Sequence, residues 1–154
     1  MDSGQWSGIQ NSREVQFFFL NFIKNIIFEV IKKILLMKIQ KFEDIIAWQK
    51  SQDLAVDIYN FFKASKDWDF KNQICRAAVS ISNNIAEGFD RSSHPEFRKF
   101  LFFSLASCSE VKSMLYLAQR LSYLTEENTK ILLSRSTEIS KIITGLIRSL
   151  EIKR

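Results

Sequence analysis

The side chains of this chain best suited to chemistry are basic. Arg76, Arg91, Arg98 and Lys99 fall within 24 residues of one another. If the chain doubles back between Gly88 and Ser93, they converge near one helix junction. Such a group takes phosphate oxygens, which contact guanidinium and ammonium groups and release counterions on binding. The competing reading is that each charge is a solvated surface residue, and the absence of clear aromatic–basic interleaving leaves the two readings evenly matched. Lys112, Arg120, Lys130, Arg135, Lys141 and Arg148 are scattered further along the chain. Arg76 lies on an apolar segment, where Glu87 is its expected partner.

Other chemistry is poorly served. The sequence holds no Gly-rich phosphate loop, no HExxH and no Cys-x-x-Cys. Glu-x-x-His pairs, which a di-iron bundle requires, are missing too. Even if Glu87 and Glu110 faced a bundle interior, two carboxylates alone make no metal site, and Glu87 is better read as paired with a basic group or capping a loop. His94 is the single histidine. We therefore expect no catalytic residues, no metal and no cofactor. Cys75 and Cys108 are too few for a disulfide framework; both sit on apolar helical faces as small hydrophobes. A reducing cytoplasm is the simplest compartment.

Composition points to long helices: one proline and four glycines in 154 residues, with 46% hydrophobic residues. Fourteen phenylalanines suggest more apolar surface than one small bundle hides, hence self-association. The net charge is +5. From Met37 onward 18 basic residues stand against 14 acidic ones, a surplus of 4. That balance is compatible with nucleic acid without requiring it.

The stretch Gln73 to Phe89 carries the clearest pattern. Ile74, Ala78, Ile81 and Ile85 recur at helical spacing. Ala77, Ser80, Ser82 and Ala86 let a neighbouring helix approach. Gly88 is expected to terminate the helix. Asn84 and Glu87 are its polar members, suited to satisfying backbone groups where the helix ends.

Four helices follow from such signals. The first spans about 42–65, with Ile45, Trp48, Ala55, Ile58, Tyr59 and Phe62 inward. The second spans about 70–87, followed by the loop Gly88 to Ser92. The third starts at Ser93-His94-Pro95-Glu96, a cap followed by a first-turn proline, and runs to about Tyr123. Phe97, Leu101, Cys108, Leu115 and Ala118 share one face, whereas Phe103, Leu117 and Leu121 point elsewhere. A helix apolar on two sides is buried on two sides. The fourth starts near Thr125 and runs to about Ile152, with Gly145 expected at a close helix contact. The fold class is all-α, an up-down antiparallel four-helix bundle with an extra N-terminal helix.

The string Ala77-Ala78-Val79-Ser80-Ile81, then Asn84-Ile85-Ala86-Glu87-Gly88, resembles the signature of a bacterial four-helix-bundle family. Genes of that family lie in intervening sequences of large-subunit ribosomal RNA genes, and relatives are accessory proteins of diversity-generating retroelements. Phe42 to Lys50 is similar to the family's opening helix; Phe97-Arg98-Lys99-Phe100-Leu101 and Leu121 to Leu124 are similar to its third. Two positions depart from the pattern. Ser82-Asn83 stands where Pro-Ser is frequent, and Cys75 where a second basic residue is frequent. The resemblance implies a non-enzymatic homo-oligomer, a ring-like pentamer, with a basic surface for RNA or DNA. In the retroelement relatives the partner is a reverse transcriptase. The alternative, from another class, is a structural or protein-interaction module without nucleic-acid affinity.

Residues 37–154 carry the resemblance; residues 1–36 do not. Phe17 to Met37 is long enough to span a bilayer. Lys24, Glu29, Lys32 and Lys33 each oppose insertion by about 2.5–3.5 kcal/mol, so a membrane partner is not expected. Three readings stand: an amphipathic helix on the bundle or on a membrane surface, an interaction tail, or translated upstream sequence with Met37 the initiator. The resemblance favours the last, because Met37 precedes the first family motif by five residues.

Overall fold

The computed structural model describes residues 12–91 and 93–150, with side chains for 15–30, 39–91 and 93–150. Among them every regular element is helical. The chain divides into two compact units, one ending at Lys38 and one beginning at Ile39. The first contains helix α1 (Ser12–Lys38). Its run of Phe, Ile and Leu contains neither glycine nor proline, so nothing in it interrupts a helix. Side chains 15–30 are exposed.

The second unit is the bundle. A 3₁₀ turn, Phe42–Asp44, precedes α2 (Ile46–Phe62). The expected single helix from residue 42 is broken here for a local reason. The Asp44 carboxylate accepts from the backbone N–H groups of Gln40 (3.0 Å) and Lys41 (3.2 Å), and Ile45 is extended. Helix α3 (Trp68–Phe89) starts earlier than expected because Asp67 caps it, accepting from the Phe70 N–H at 3.0 Å. Helix α4 (His94–Arg120) opens as expected, the Ser93 hydroxyl accepting from the Glu96 N–H at 3.4 Å. Its end falls at Arg120 and not Tyr123. Ser122 takes φ 59°, the Tyr123 N–H reaches the Ala118 carbonyl and the Ser122 N–H the Gln119 carbonyl. This is a Schellman closure made without glycine. Helix α5 (Glu126–Leu150) begins after Thr125, whose hydroxyl accepts from the Asn128 N–H at 3.2 Å. The expected loop residue Ser92 and helix residue Ile152 lie outside the described residues.

Short connections at 63–67, 90–93 and 121–125 set sequence neighbours antiparallel. Helices pack α2 on α3, α3 on α4, α4 on α5, and α5 back on α2. The core they enclose includes Leu54, Ile58, Phe62, Ile74, Ile81, Ile85, Leu101, Leu115, Leu132, Ile139 and Ile143, all fully buried. Ser104 and Ser136 lie among them. Their hydroxyls donate to the Ile81 carbonyl (2.8 Å) and, at 3.4 Å, to the Cys108 carbonyl, as buried polar groups require. Cys75 and Cys108 are free and buried. Burial pushes both thiols up from their ordinary pKa.

Three packing expectations are corrected. Gly88 does not terminate α3. It is a buried residue inside the helix without positive φ, and a Cβ there would meet the Phe100 Cβ at 2.5 Å. Its role is to let α4 approach. Gly145 is the reverse: it is exposed, and a Cβ there would meet nothing within 4 Å. Tyr59 is 50% exposed, because Ile58 and Phe62, one turn apart, take the inward face.

Candidate nucleic-acid interface

The α3–α4 junction is built by close approach. Gly88 admits Phe100, and Phe89 meets Phe97 edge-to-face at 5.9 Å. The last turn of α3 and the first turns of α4 thereby fix the residues around them. Arg91, just past α3, donates to Glu87 at 2.5 Å, one helical turn back. Its guanidinium also stands 4.9 Å over the Phe100 ring. Arg98 and Lys99 each sit four residues before an aromatic ring on α4, the spacing at which helical side chains meet. Arg98 lies 5.9 Å from the centre of the Phe102 ring and Lys99 lies 5.8 Å from that of Phe103. The Phe100 and Phe103 rings are themselves in edge-to-face contact at 5.7 Å. Three of the four basic residues singled out in the sequence are thus brought to one junction, each over a ring.

Arg76 is not among them. Thirteen residues of α3 separate it from Phe89, about 20 Å of helix. Its Nε donates to the Asn72 carbonyl at 3.3 Å. It lines two open grooves along α2 and α3, of about 480 and 360 Å³, that share Arg76 and Tyr59. The expected Arg76–Glu87 pair is replaced by Arg91–Glu87, since Arg91 lies one turn from Glu87 and Arg76 three turns away. Glu87 and Glu110 are both exposed; a buried unpaired carboxylate is too costly to keep. Asn84 is half-buried, its amide donating to the Ser80 carbonyl (2.7 Å) and hydroxyl (3.0 Å). Both bonds lie within α3, one turn back.

The aromatic partners were missed in the sequence, although Phe97-Arg98-Lys99-Phe100 and Phe102-Phe103 do interleave rings and cations. Cation–ring spacing of four residues was the available signal. A cation–ring pair at a spacing of three residues lies at the start of α3, where Lys71 stands 4.8 Å over the Trp68 ring. Among the described residues no three His, Cys, Asp or Glu side chains group as metal ligands. Among the same residues α4 is long and apolar enough to cross a membrane, but Phe97, Leu101, Val111 and Leu115 on it are buried in the bundle.

Fold and junction together define an all-α bundle whose distinctive surface is basic and aromatic. The chain belongs to the 23S rRNA-intervening sequence protein family, whose sequence model matches residues 43–145. A solved structure of a protein of unknown function from the S23 ribosomal protein family of Bacteroides thetaiotaomicron VPI-5482 is similar to it. The TM-score is 0.63 at 31% identity, over 67% of this chain and 99% of that one. No curated protein matches the sequence.

Proposed function

We propose that this chain is a non-enzymatic, self-associating bundle protein of the cytoplasm that binds nucleic acid at the α3–α4 junction. The observation that carries the proposal is the grouping of Arg91, Arg98 and Lys99 on that junction. The family's description, with its reference to 23S rRNA, points in the same direction. Self-association is supported by a second apolar area near the other end of α4, where Tyr116, Leu117 and Leu121 are 57%, 45% and 46% exposed. Single exposed apolar residues are ordinary; a contiguous set marks an interaction surface. A ring-like homo-oligomer, the pentamer implied by the family resemblance, would repeat the basic junction around its rim. Repetition multiplies a modest per-chain charge into a field that attracts phosphate.

The test is fluorescence anisotropy with labelled RNA at two salt concentrations, comparing the natural chain with Arg91→Ala/Arg98→Ala/Lys99→Ala. Light scattering should give a mass several times 18.0 kDa for both. The triple variant should bind unrelated sequences more weakly and to a similar degree. Its slope of log affinity against log salt should flatten by about 0.9 per lost duplex phosphate contact, or about 0.7 for single strands. Unchanged affinity and slope would favour the protein-interaction reading, for which the exposed Tyr116 and Leu117 already speak.

A further inference from the structure

Helix α1 exposes more apolar surface than a single chain can leave in water. Between Val15 and Val30, eleven large hydrophobic side chains are 42–74% exposed. Half of a large side chain is about 100 Å², so together they present about 1,000 Å². The largest apolar patch on an ordinary monomer is about 300–600 Å², and a stable interface takes about 800 Å² from each partner. Propensity does not hold such a helix together, because phenylalanine and isoleucine are middling helix formers. Most helical stability comes from packing an apolar face. Spacing defines that face. Phe19, Ile23, Ile26 and Val30 recur at steps of four, three and four residues, with Leu20 and Ile27 beside them. Asn21, Lys24, Asn25 and Glu29 fall on the other side.

A bilayer fits this face poorly. Among the described residues α4 alone has the length and composition to cross a membrane, and Lys24 and Glu29 lie mid-helix in α1, where charges oppose insertion. A helix lying in the lipid surface carries a strongly charged, basic polar face. Here one lysine is balanced by one glutamate, and Phe17, Phe18 and Phe28 share that side. A copy of the same helix fits better. Leu20, Ile23, Ile27 and Val30 stand at three-four-three spacing, the a/d seam of a coiled coil, and the sequence continues it at Ile34 and Met37. Leucine at a with isoleucine at d favours three or four strands over two. Additional neighbours also cover the Phe19–Phe22 flank of the seam. We propose that α1 is a self-association helix that packs along this seam on α1 of two or more other copies. The proposal extends the self-association reading above to an element outside the residues matched by the family, and it is independent of nucleic-acid binding.

The experiment follows the full chain by light scattering over a concentration series. Ile23→Asp/Ile27→Asp puts charge in the seam, and Asn21→Asp/Asn25→Asp puts the same charge on the opposite side. Ile23→Ala/Ile27→Ala trims the seam without charge and without loss of helix propensity. Tyr116→Asp/Leu117→Asp alters the bundle surface instead. The natural chain should give a mass at least three times 18.0 kDa. Ile23→Asp/Ile27→Asp should lower that mass at every concentration. Ile23→Ala/Ile27→Ala should raise the concentration of half-complete assembly about ten-fold or more. Asn21→Asp/Asn25→Asp should keep the natural mass. Cys75 and Cys108, buried in the bundle, should stay unreactive to thiol reagents in each variant, which establishes that the bundle is folded. The natural mass in both seam variants would overturn the proposal; a fall on Tyr116→Asp/Leu117→Asp alone would leave self-association standing on the bundle. A monomer mass for the natural chain would overturn both. An equal fall with charge on either side of α1 would overturn the seam. Vesicles of phosphatidylglycerol supply the lipid arm. Binding to them that Ile23→Asp/Ile27→Asp abolishes, with the lipid-free mass unchanged, would assign α1 to a lipid surface and overturn the proposal.

Discussion

Gly88→Ala and Gly145→Ala are the same chemical change in two long helices, and the structure assigns them opposite effects. At Gly88 the added Cβ would stand 2.5 Å from the Phe100 Cβ, 3.2 Å from its Cγ and 3.0 Å from Phe97 Cδ2. Carbon atoms rest at about 3.5–4.0 Å, so α3 and α4 must separate by about 1 Å. No rotamer change relieves the shortest contact, because the Phe100 Cβ moves only with its backbone. Overpacking of this kind costs about 1–3 kcal/mol. Alanine's better helix propensity returns about 1 kcal/mol. With the clash at backbone level, the net loss should be about 1–2 kcal/mol. At Gly145 the new methyl meets nothing within 4 Å, leaving only the propensity gain of about 1 kcal/mol. The two variants should therefore differ by about 2–3 kcal/mol in urea unfolding followed by circular dichroism. Equal protein concentrations are needed, since assembly contributes to apparent stability. Gly88→Ala proving as stable as Gly145→Ala would refute the close-approach account of the junction. The same shift moves Phe100 from under Arg91, so Gly88→Ala should also weaken RNA binding.

The loops at the α3 start and α4 end are tied by Tyr123, whose hydroxyl donates to Asp67 at 2.8 Å. The Phe70 N–H, and then Tyr123, hold the Asp67 carboxyl below its usual range, and the same bond raises Tyr123. A lowered carboxylate stabilises the fold above its unfolded pKa and stops doing so as pH falls through the folded one; a raised tyrosine does so below its unfolded pKa until pH rises through the folded one. The stability difference between the natural chain and Tyr123→Phe should be full near neutrality and narrow towards both strong acid and strong alkali, as read from urea midpoints across pH. Cys75 and Cys108 should resist thiol reagents in the native protein and react on unfolding, because burial disfavours both thiolates; a chromogenic disulfide titration with and without denaturant checks this.

The bundle was legible where local chemistry decides it. The Ile74, Ala78, Ile81, Ile85 stripe and the Ser93 cap announce α3 and α4, and the stripe is buried and the cap made as read. Readings that depended on a neighbour were not recoverable. Gly88, at the end of an apolar stripe, looks like a terminator; only the packing of α4 reveals it as a contact. Gly145 looks like a contact because a glycine inside a helix is costly without one, and it is open to solvent. The end of α4 was hidden because serine, not glycine, takes the left-handed conformation at 122. At the junction, the grouping of Arg91, Arg98 and Lys99 followed from a short loop between two helices. Arg76 was misplaced because nearness in sequence along a rigid helix is distance in space. The cation–ring pairs at 98/102 and 99/103 required only the four-residue rule and went unread.

The cyclic order of the helices has a consequence for synthesis. Among the main packing contacts of the bundle, α2 on α3, α3 on α4 and α4 on α5 join neighbours in the chain, whereas α5 on α2 closes the ring. Ion pairs cross that last seam, Lys50 with Glu138 at 2.9 Å and Arg135 with Asp57; exposed pairs of this kind guide more than they hold. Topology of this sort folds quickly once complete, but completion waits on translation. At about 5–20 residues per second, the 25 residues of α5 occupy the ribosome for one to several seconds. Until α5 docks, the faces of α2 and α4 that Leu132, Ile139, Ile143 and Ile147 cover stay open. Closure of the core therefore falls to α5, whose synthesis sets when those apolar faces leave water.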